Sequence, residues 1–143
     1  MIDFSNKRML VTGGTSGIGL ATAKRLHEAG ARVLVTGTRE ERLAAVRAML
    51  DGAIVVANDA GDASAAATLG ELAQREFGGL DGAFLNAGFG RFHSLADVSA
   101  EEFDAHFSVN VRGPLLQAQA LSSVLCDGGS IVLNTSVARH GTV

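Results

Sequence analysis

The residues with the clearest chemical potential are the glycines of Thr12-Gly13-Gly14-Thr15-Ser16-Gly17-Ile18-Gly19. Gly13 permits a tight exit from a strand, Gly17 lets a pyrophosphate approach the backbone, and Gly19 lets a helix pack closely. A helix starting here offers unbonded N–H groups and a partial positive charge to a phosphate. The spacing G-x3-G-x-G is not the G-x-G-x-x-G fingerprint, and no Gly-Lys-Ser/Thr follows to make a P-loop. A tight turn without a ligand is the bland alternative.

Such a loop works only between a strand and a helix, and the surrounding pattern predicts both. Met9 to Thr12 reads as a buried strand, and Ser16 to Ala29 as a helix stopped by Gly30. Further strands are expected at 32–36, 53–57, 80–85 and 131–134. Thr38 and Glu41 have capping-box spacing and predict the start of a second helix; residues 62–77 form an Ala-rich third, ended by Gly78-Gly79. Ser99 and Glu102 repeat that spacing and open a long helix to about Leu125, broken by Gly128-Gly129. Apolar strands that each precede a helix predict an α/β fold: a doubly wound, Rossmann-like parallel sheet with its ligand at the C-terminal strand ends.

Composition narrows the function classes. The chain has 143 residues, enough for one domain, with 47% hydrophobic and 19% charged content. Its 18 glycines are nearly twice the average share of about 7%. Twelve Lys and Arg against 15 Asp and Glu give a net charge of −3 without a basic stripe, which argues against nucleic-acid binding. The single Cys126 excludes an internal disulfide and reads as a small core hydrophobe rather than a reactive thiol. The four histidines lack metal-ligand spacing, so no metal site is expected. No apolar run is long enough to cross a bilayer and no signal segment is evident, so no membrane role and a cytoplasmic location are expected.

The segment from Thr12 to Gly19 resembles the TGxxxGxG cofactor loop of the short-chain dehydrogenase/reductase family. Three further motifs agree in order and spacing: Asn86-Ala87-Gly88 after the fourth strand, Asn110 inside the long helix, and Asn134-Thr135-Ser136 after the fifth strand. Together they cover essentially the whole chain. The resemblance implies hydride transfer between a nicotinamide dinucleotide and a small-molecule carbonyl or alcohol. Gly13, Thr15, Ser16, Gly17, Ile18 and Gly19 would then hold the cofactor, with the Asn86-Ala87-Gly88 turn beside the adenosine ribose. Ser136 would hydrogen-bond the substrate oxygen, where charge develops as hydride moves. Asn110 would hold a water in a proton relay by interrupting the helix's own hydrogen bonding. Asp59 matches the position that meets the adenine amino group; a strand-end turn is its other reading.

Cofactor choice falls to the end of the second strand. Gly37 stands where the family's acidic residue would accept the ribose 2′-OH, and Arg39 is placed to pair with a 2′-phosphate. NADP(H) is therefore expected over NAD(H), although Ser16 is not basic, Glu40-Glu41 follow closely, and Arg39 also fits a solvated helix start.

The family's tyrosine and lysine, which complete its catalytic set beyond the serine, have no counterpart. The chain contains no tyrosine, and its only lysines are Lys7 and Lys24. The expectation for residues 1–143 is a cofactor-binding domain that is incomplete at its C-terminus relative to the family, truncated after the fifth strand, and without turnover by itself. A non-catalytic dinucleotide-binding module and a structural fragment are the alternatives. Val111, Leu115, Leu116, Leu121, Val124 and Leu125 do not fit one narrow face, so the long helix at about 101–125 needs cover on two sides. The family packs this helix against a partner subunit, which implies a homo-oligomer. Phe89, Phe92 and His93 follow the Asn86-Ala87-Gly88 turn and either line the substrate site or pack the loop.

Overall fold

The computed structural model describes residues 3–136. Five parallel strands form one sheet in the order β3-β2-β1-β4-β5, with β1 at Arg8–Val11, β2 at Arg32–Gly37, β3 at Ile54–Ala57, β4 at Leu80–Leu85 and β5 at Leu125–Leu133. All four ladders are parallel. The chain steps outward from β1 through β2 to β3, then crosses back to place β4 on the other side of β1. The crevice outside β1 and β4 is therefore the switch point of the sheet.

Side-chain alternation separates two apolar layers. Leu10, Leu34, Ala83 and Leu85 face α3 (Ala63–Phe77) and α5 (Gly113–Ser122), where Leu69, Ala73, Phe77 and Leu121 complete a buried cluster. Val11, Val33, Val35 and Val55 face the opposite way. They meet Ala23 and Leu26 of α1 (Gly17–Glu28), and Leu43 and Val46 of α2 (Glu40–Met49). This is the expected doubly wound sheet.

Side-chain caps mark the starts of two helices, and one expected cap is corrected. Asp62 caps α3 by accepting the Ser64 N–H, and Ser99 caps α4 (Ala100–Phe107) by accepting the Glu102 N–H. The expected capping box at Thr38 does not form. Arg39 occupies the N-cap of α2 and makes no side-chain cap bond, so the helix begins two residues beyond Thr38.

The expected single helix to about Leu125 is also corrected. It divides into α4, a π-helical turn at Ser108–Arg112, and α5, which ends at Ser122. Leu125 already belongs to β5, so Gly128-Gly129 lie within a strand rather than at a helix break. Between Leu80↔Leu125 and Gly82↔Ser130, β4 advances two residues while β5 advances five, and the three extra residues form a bulge around these glycines. Asn134 lies just past the strand, with its N–H still bonded to the Leu85 carbonyl at 3.0 Å.

Among the described residues no helix is long and apolar enough to cross a membrane. The described His, Cys, Asp and Glu residues likewise contain no group that could hold a metal ion.

Candidate functional site

The glycine turn is shaped by what its missing side chains would strike. At Gly13, with φ +61°, a Cβ would lie 2.8 Å from the Ala87 Cα. At Gly19 it would collide with the Gly13 carbonyl oxygen and come within 2.5 Å of Asn86 Nδ2. At Gly14 it would meet Val35 Cγ1 at 2.6 Å. Gly17 differs: its φ is +53° and no heavy atom lies within 4 Å of a Cβ built there. Gly13, Gly14 and Gly19 therefore pack protein against protein, while Gly17 leaves open space beside the loop.

Side-chain hydrogen bonds then tie β1, β4 and β5 together at their C-terminal ends. The hydroxyl of Thr12, a fully buried residue, accepts the N–H groups of Asn86 at 3.0 Å and Ala87 at 3.1 Å. Asn86 Nδ2 donates to the carbonyls of Thr12 and Gly13 at 3.2 and 3.3 Å. Asn86 Oδ1 in turn accepts Asn134 Nδ2 at 2.8 Å. Thr12 and Asn134 are the members of this network to which sequence reasoning gave no role. The signal for Thr12 was a hydroxyl at the buried end of an apolar strand, where it must find a partner.

Ser16 occupies the N-cap of α1 but makes no side-chain cap bond, and the first turn of α1 holds no acid. By contrast α2 and α4 each begin with two glutamates, and α3 is capped by Asp62. The start of α1 thus keeps its partial positive charge and unpaired donors for an outside anion.

These groups border a cleft of about 1410 Å³. Gly13, Thr15, Ser16 and Ile18 line it from the glycine turn, and Arg39 and Asp59 from the ends of β2 and β3. Asn86, Ala87 and Gly88 line it beside β4, while Asn110 and Ser136 border it from the π turn and the segment after β5. Every proposed site residue except Gly17 and Gly19 thus reaches the cleft wall; Gly19 packs behind the turn, and Gly17 sits exposed beside it. Arg42, which sequence reasoning did not single out, lines the same end as Arg39. Asp59 Oδ1 accepts the Gly61 N–H at 2.8 Å, so its carboxylate also makes the strand-end turn.

Asn110 lies in the π-helical turn, where the helical bond pattern is already altered. Its side chain makes a two-point clamp on Phe89: Oδ1 accepts the Phe89 N–H at 3.0 Å and Nδ2 donates to the Phe89 carbonyl at 2.8 Å. Gly88 is needed beside it, since a Cβ there would lie 3.0 Å from Asn110 Oδ1. One and two turns earlier, His106 and Glu102 continue the clamp along the same stripe. His106 Nε2 accepts the Arg91 N–H at 3.0 Å, and Glu102 Oε1 accepts Arg91 Nη1 at 2.8 Å. The Arg91 guanidinium holds the Glu102 carboxyl below its ordinary range.

A glycine turn at the switch point of a doubly wound parallel sheet, opening on a cleft at the C-terminal strand ends, defines a Rossmann-like α/β domain. The chain belongs to the short chain dehydrogenase family, whose model matches residues 7–142. It is 39% identical over 135 residues to versicolorin reductase 1 of Aspergillus parasiticus, covering 91% of this chain and 52% of that protein. It is 37% identical to the short chain dehydrogenase/reductase AacuN of Aspergillus aculeatus, covering 92% of this chain and 52% of that one. A crystallised short chain dehydrogenase from Burkholderia cenocepacia, in complex with NADP, superposes with a TM-score of 0.88 at 36% identity. That match covers 97% of this chain and 59% of the other. A blue fluorescent protein from a metagenomic library, in complex with NADPH, gives a TM-score of 0.91 at 27% identity, covering 97% of this chain and 59% of that one. The chain spans about half the length of the curated relatives it matches.

Proposed function

We propose that this chain is the dinucleotide-binding part of an oxidoreductase that uses NADP(H) and acts on a carbonyl or alcohol. The observation that carries the reading is the uncapped, acid-free start of α1, held by close-packed glycines at the mouth of the cleft. When bound, the nicotinamide would supply the hydride donor or acceptor. The residues present fit such a ligand: Gly13, Thr15, Ser16, Gly17, Ile18 and Gly19 form an anion-receptive turn. Asp59 and the Asn86-Ala87-Gly88 turn are the groups proposed for adenine and its ribose. Ser136 would hydrogen-bond the substrate oxygen. Asn110 would serve the proton relay by holding a water from the π turn.

Support for the 2′-phosphate comes from the β2 end. Gly37 packs so tightly on Thr15 that a Cβ would lie 2.5 Å from Thr15 Cγ2, so an acidic side chain there would have to displace Thr15. Arg39 and Arg42 border the cleft, whereas Glu40 and Glu41 do not, and Glu40 is paired with Arg47. A second copy of the chain is proposed to cover the exposed apolar residues of α4, the π turn and α5, with Phe103 and Phe107 away from the cleft and Val111 and Leu115 on its border. A cytoplasmic location fits a domain without a membrane-crossing helix among its described residues.

The 143 residues contain no tyrosine to act as a phenolic proton donor, so turnover by this polypeptide alone is not expected. A dinucleotide-binding module without turnover is the second reading, and it rests on that same absence. Titration with NADPH and NADH, followed by nicotinamide fluorescence, tests the proposal. NADPH should bind more tightly, and Arg39→Ala should weaken it about ten-fold or more while leaving NADH unchanged. Failure to bind either dinucleotide would overturn the reading.

A further inference from the structure

The partly buried ring of His106 is held by two bonds that make opposite demands on its protons. On one side Nδ1 lies 2.7 Å from the Glu102 carbonyl oxygen, one turn back in α4. A carbonyl only accepts, so Nδ1 carries a proton. On the other side Nε2 accepts the Arg91 N–H at 3.0 Å. A backbone amide only donates, so Nε2 carries none. The two bonds together select one neutral tautomer. The Phe89 ring, 4.6 Å away and tilted by 34°, packs on the imidazole. Turning the imidazole over would place carbon where both nitrogens now bond.

The Arg91 N–H is one backbone tether on the segment after the β4 turn. Another joins Phe89 to Asn110, whose side-chain amide does not titrate. Gly90 lies between the two tethers, and a Cβ built on it would meet no heavy atom within 4 Å. Phe89, Gly90 and Phe92 all line the cleft. This wall is therefore fixed at residue 89 by a bond indifferent to pH and at residue 91 by one that responds to it. An unhindered glycine is the joint.

The charged and titratable groups around the imidazole are Glu102 from its own helix, and Arg91 and His93 from the tethered segment. Glu102 Oε2 lies 3.8 Å from His106 Nδ1 and 3.6 Å from His93 Nε2. Glu102 Oε1 holds the Arg91 guanidinium at 2.8 Å. The carboxylate favours a second proton on either imidazole, and the guanidinium opposes it. A proton arriving at His106 Nε2 turns the acceptor into a donor. N–H would then face N–H, and the Arg91 tether would part.

We infer that His106 is a positioning residue for the cleft wall, and that its proton state sets the hold. Neutral, it fixes Arg91; protonated, it frees the wall beyond Gly90 while Phe89 stays in place. This goes beyond the dinucleotide reading and does not depend on it.

NMR of the isotopically labelled chain tests the inference. With His106 neutral, long-range ring correlations should show the Nδ1–H tautomer. The pH is then lowered until both ring nitrogens carry protons. Over that step the hydrogen-exchange protection of the Arg91 amide, corrected for the intrinsic rate at each pH, should fall about ten-fold. Protection of the Phe89 amide should stay constant. His106→Gln offers an oxygen acceptor without a titrating ring and should abolish the response, whereas His93→Gln should leave it tied to His106. A neutral ring in the Nε2–H form overturns the inference. So does an Arg91 amide equally protected before and after the second proton, or one that loses protection together with Phe89. A response that persists in His106→Gln assigns it to Glu102 or His93 and also overturns it. The measurements on the unaltered chain decide the matter even if that variant does not fold.

Discussion

The buried hydroxyl of Thr12 accepts two consecutive backbone N–H groups, those of Asn86 and Ala87, at 3.0 and 3.1 Å. One oxygen atom therefore fixes the distance between the glycine turn and the β4 turn, the two walls of the cleft. Thr12→Val keeps the shape and deletes the acceptor. It should destabilise the domain by about 1–3 kcal/mol, because two buried donors lose their partner. Thr12→Ser should be nearly neutral. Urea unfolding of the three chains checks this, and equal midpoints for Val and Thr would refute it.

Gly19→Ala addresses the same turn from the helix side. The added methyl would strike the Gly13 carbonyl and crowd Asn86 Nδ2. Both contacts belong to backbone or a thrice-bonded side chain, so neither yields cheaply. Affinity for NADPH should fall about ten-fold or more, along with a loss of stability of about 1–3 kcal/mol. Calorimetric titration after confirming the fold by circular dichroism would show it, and unchanged affinity would contradict the packing argument.

At the other end of the sheet, Asp81 accepts both the side-chain Nε and the backbone N–H of Arg8, at 2.8 and 2.9 Å. The Arg8 guanidinium holds the Asp81 carboxyl down at about 2, from an ordinary value of 3.8. A carboxyl depressed on folding contributes stability that is fully present above its unfolded value and is lost as pH falls through its folded one. Stability should thus decline between about pH 4 and pH 2, and Asp81→Asn should flatten that decline while lowering stability at pH 7. Urea midpoints across that range measure it; identical profiles for the two chains would exclude the pair.

The Phe103 and Phe107 rings stack at 4.4 Å on the outer face of α4, about half exposed. If a second copy covers them, replacing both with serine should shift the chain toward monomer in sedimentation velocity, with little change in unfolding midpoint. An unchanged mass distribution would remove this face from the interface.

The sheet and the cleft were largely legible in the sequence, because both rest on local signals. Apolar runs alternated with helical stretches, and the glycines that could not carry a Cβ marked the turn. What escaped was set by contacts between distant segments. Asn134 bonds Asn86 only because β5 lies beside β4. The π turn forms where Gly113 must approach the Ala60 carbonyl and Asn110 must reach Phe89, and no window of adjacent residues shows either demand. Gly128-Gly129 looked like a helix break because glycine serves a bulge and a stop alike. Thr38 failed as a cap because α2 starts from Arg39.

The π turn also acts as an indexing tooth. Each residue advances an α-helix by about 100°. Removing a single residue from 108–112 would turn α5 by roughly that angle against α4. Leu121 would then rotate away from the core while Glu102 and His106 kept their hold on the loop. The protein could keep its buried layer or its grip on Arg91, but not both. The length of that turn, together with Asn110 within it, couples the cleft wall to the hydrophobic interior.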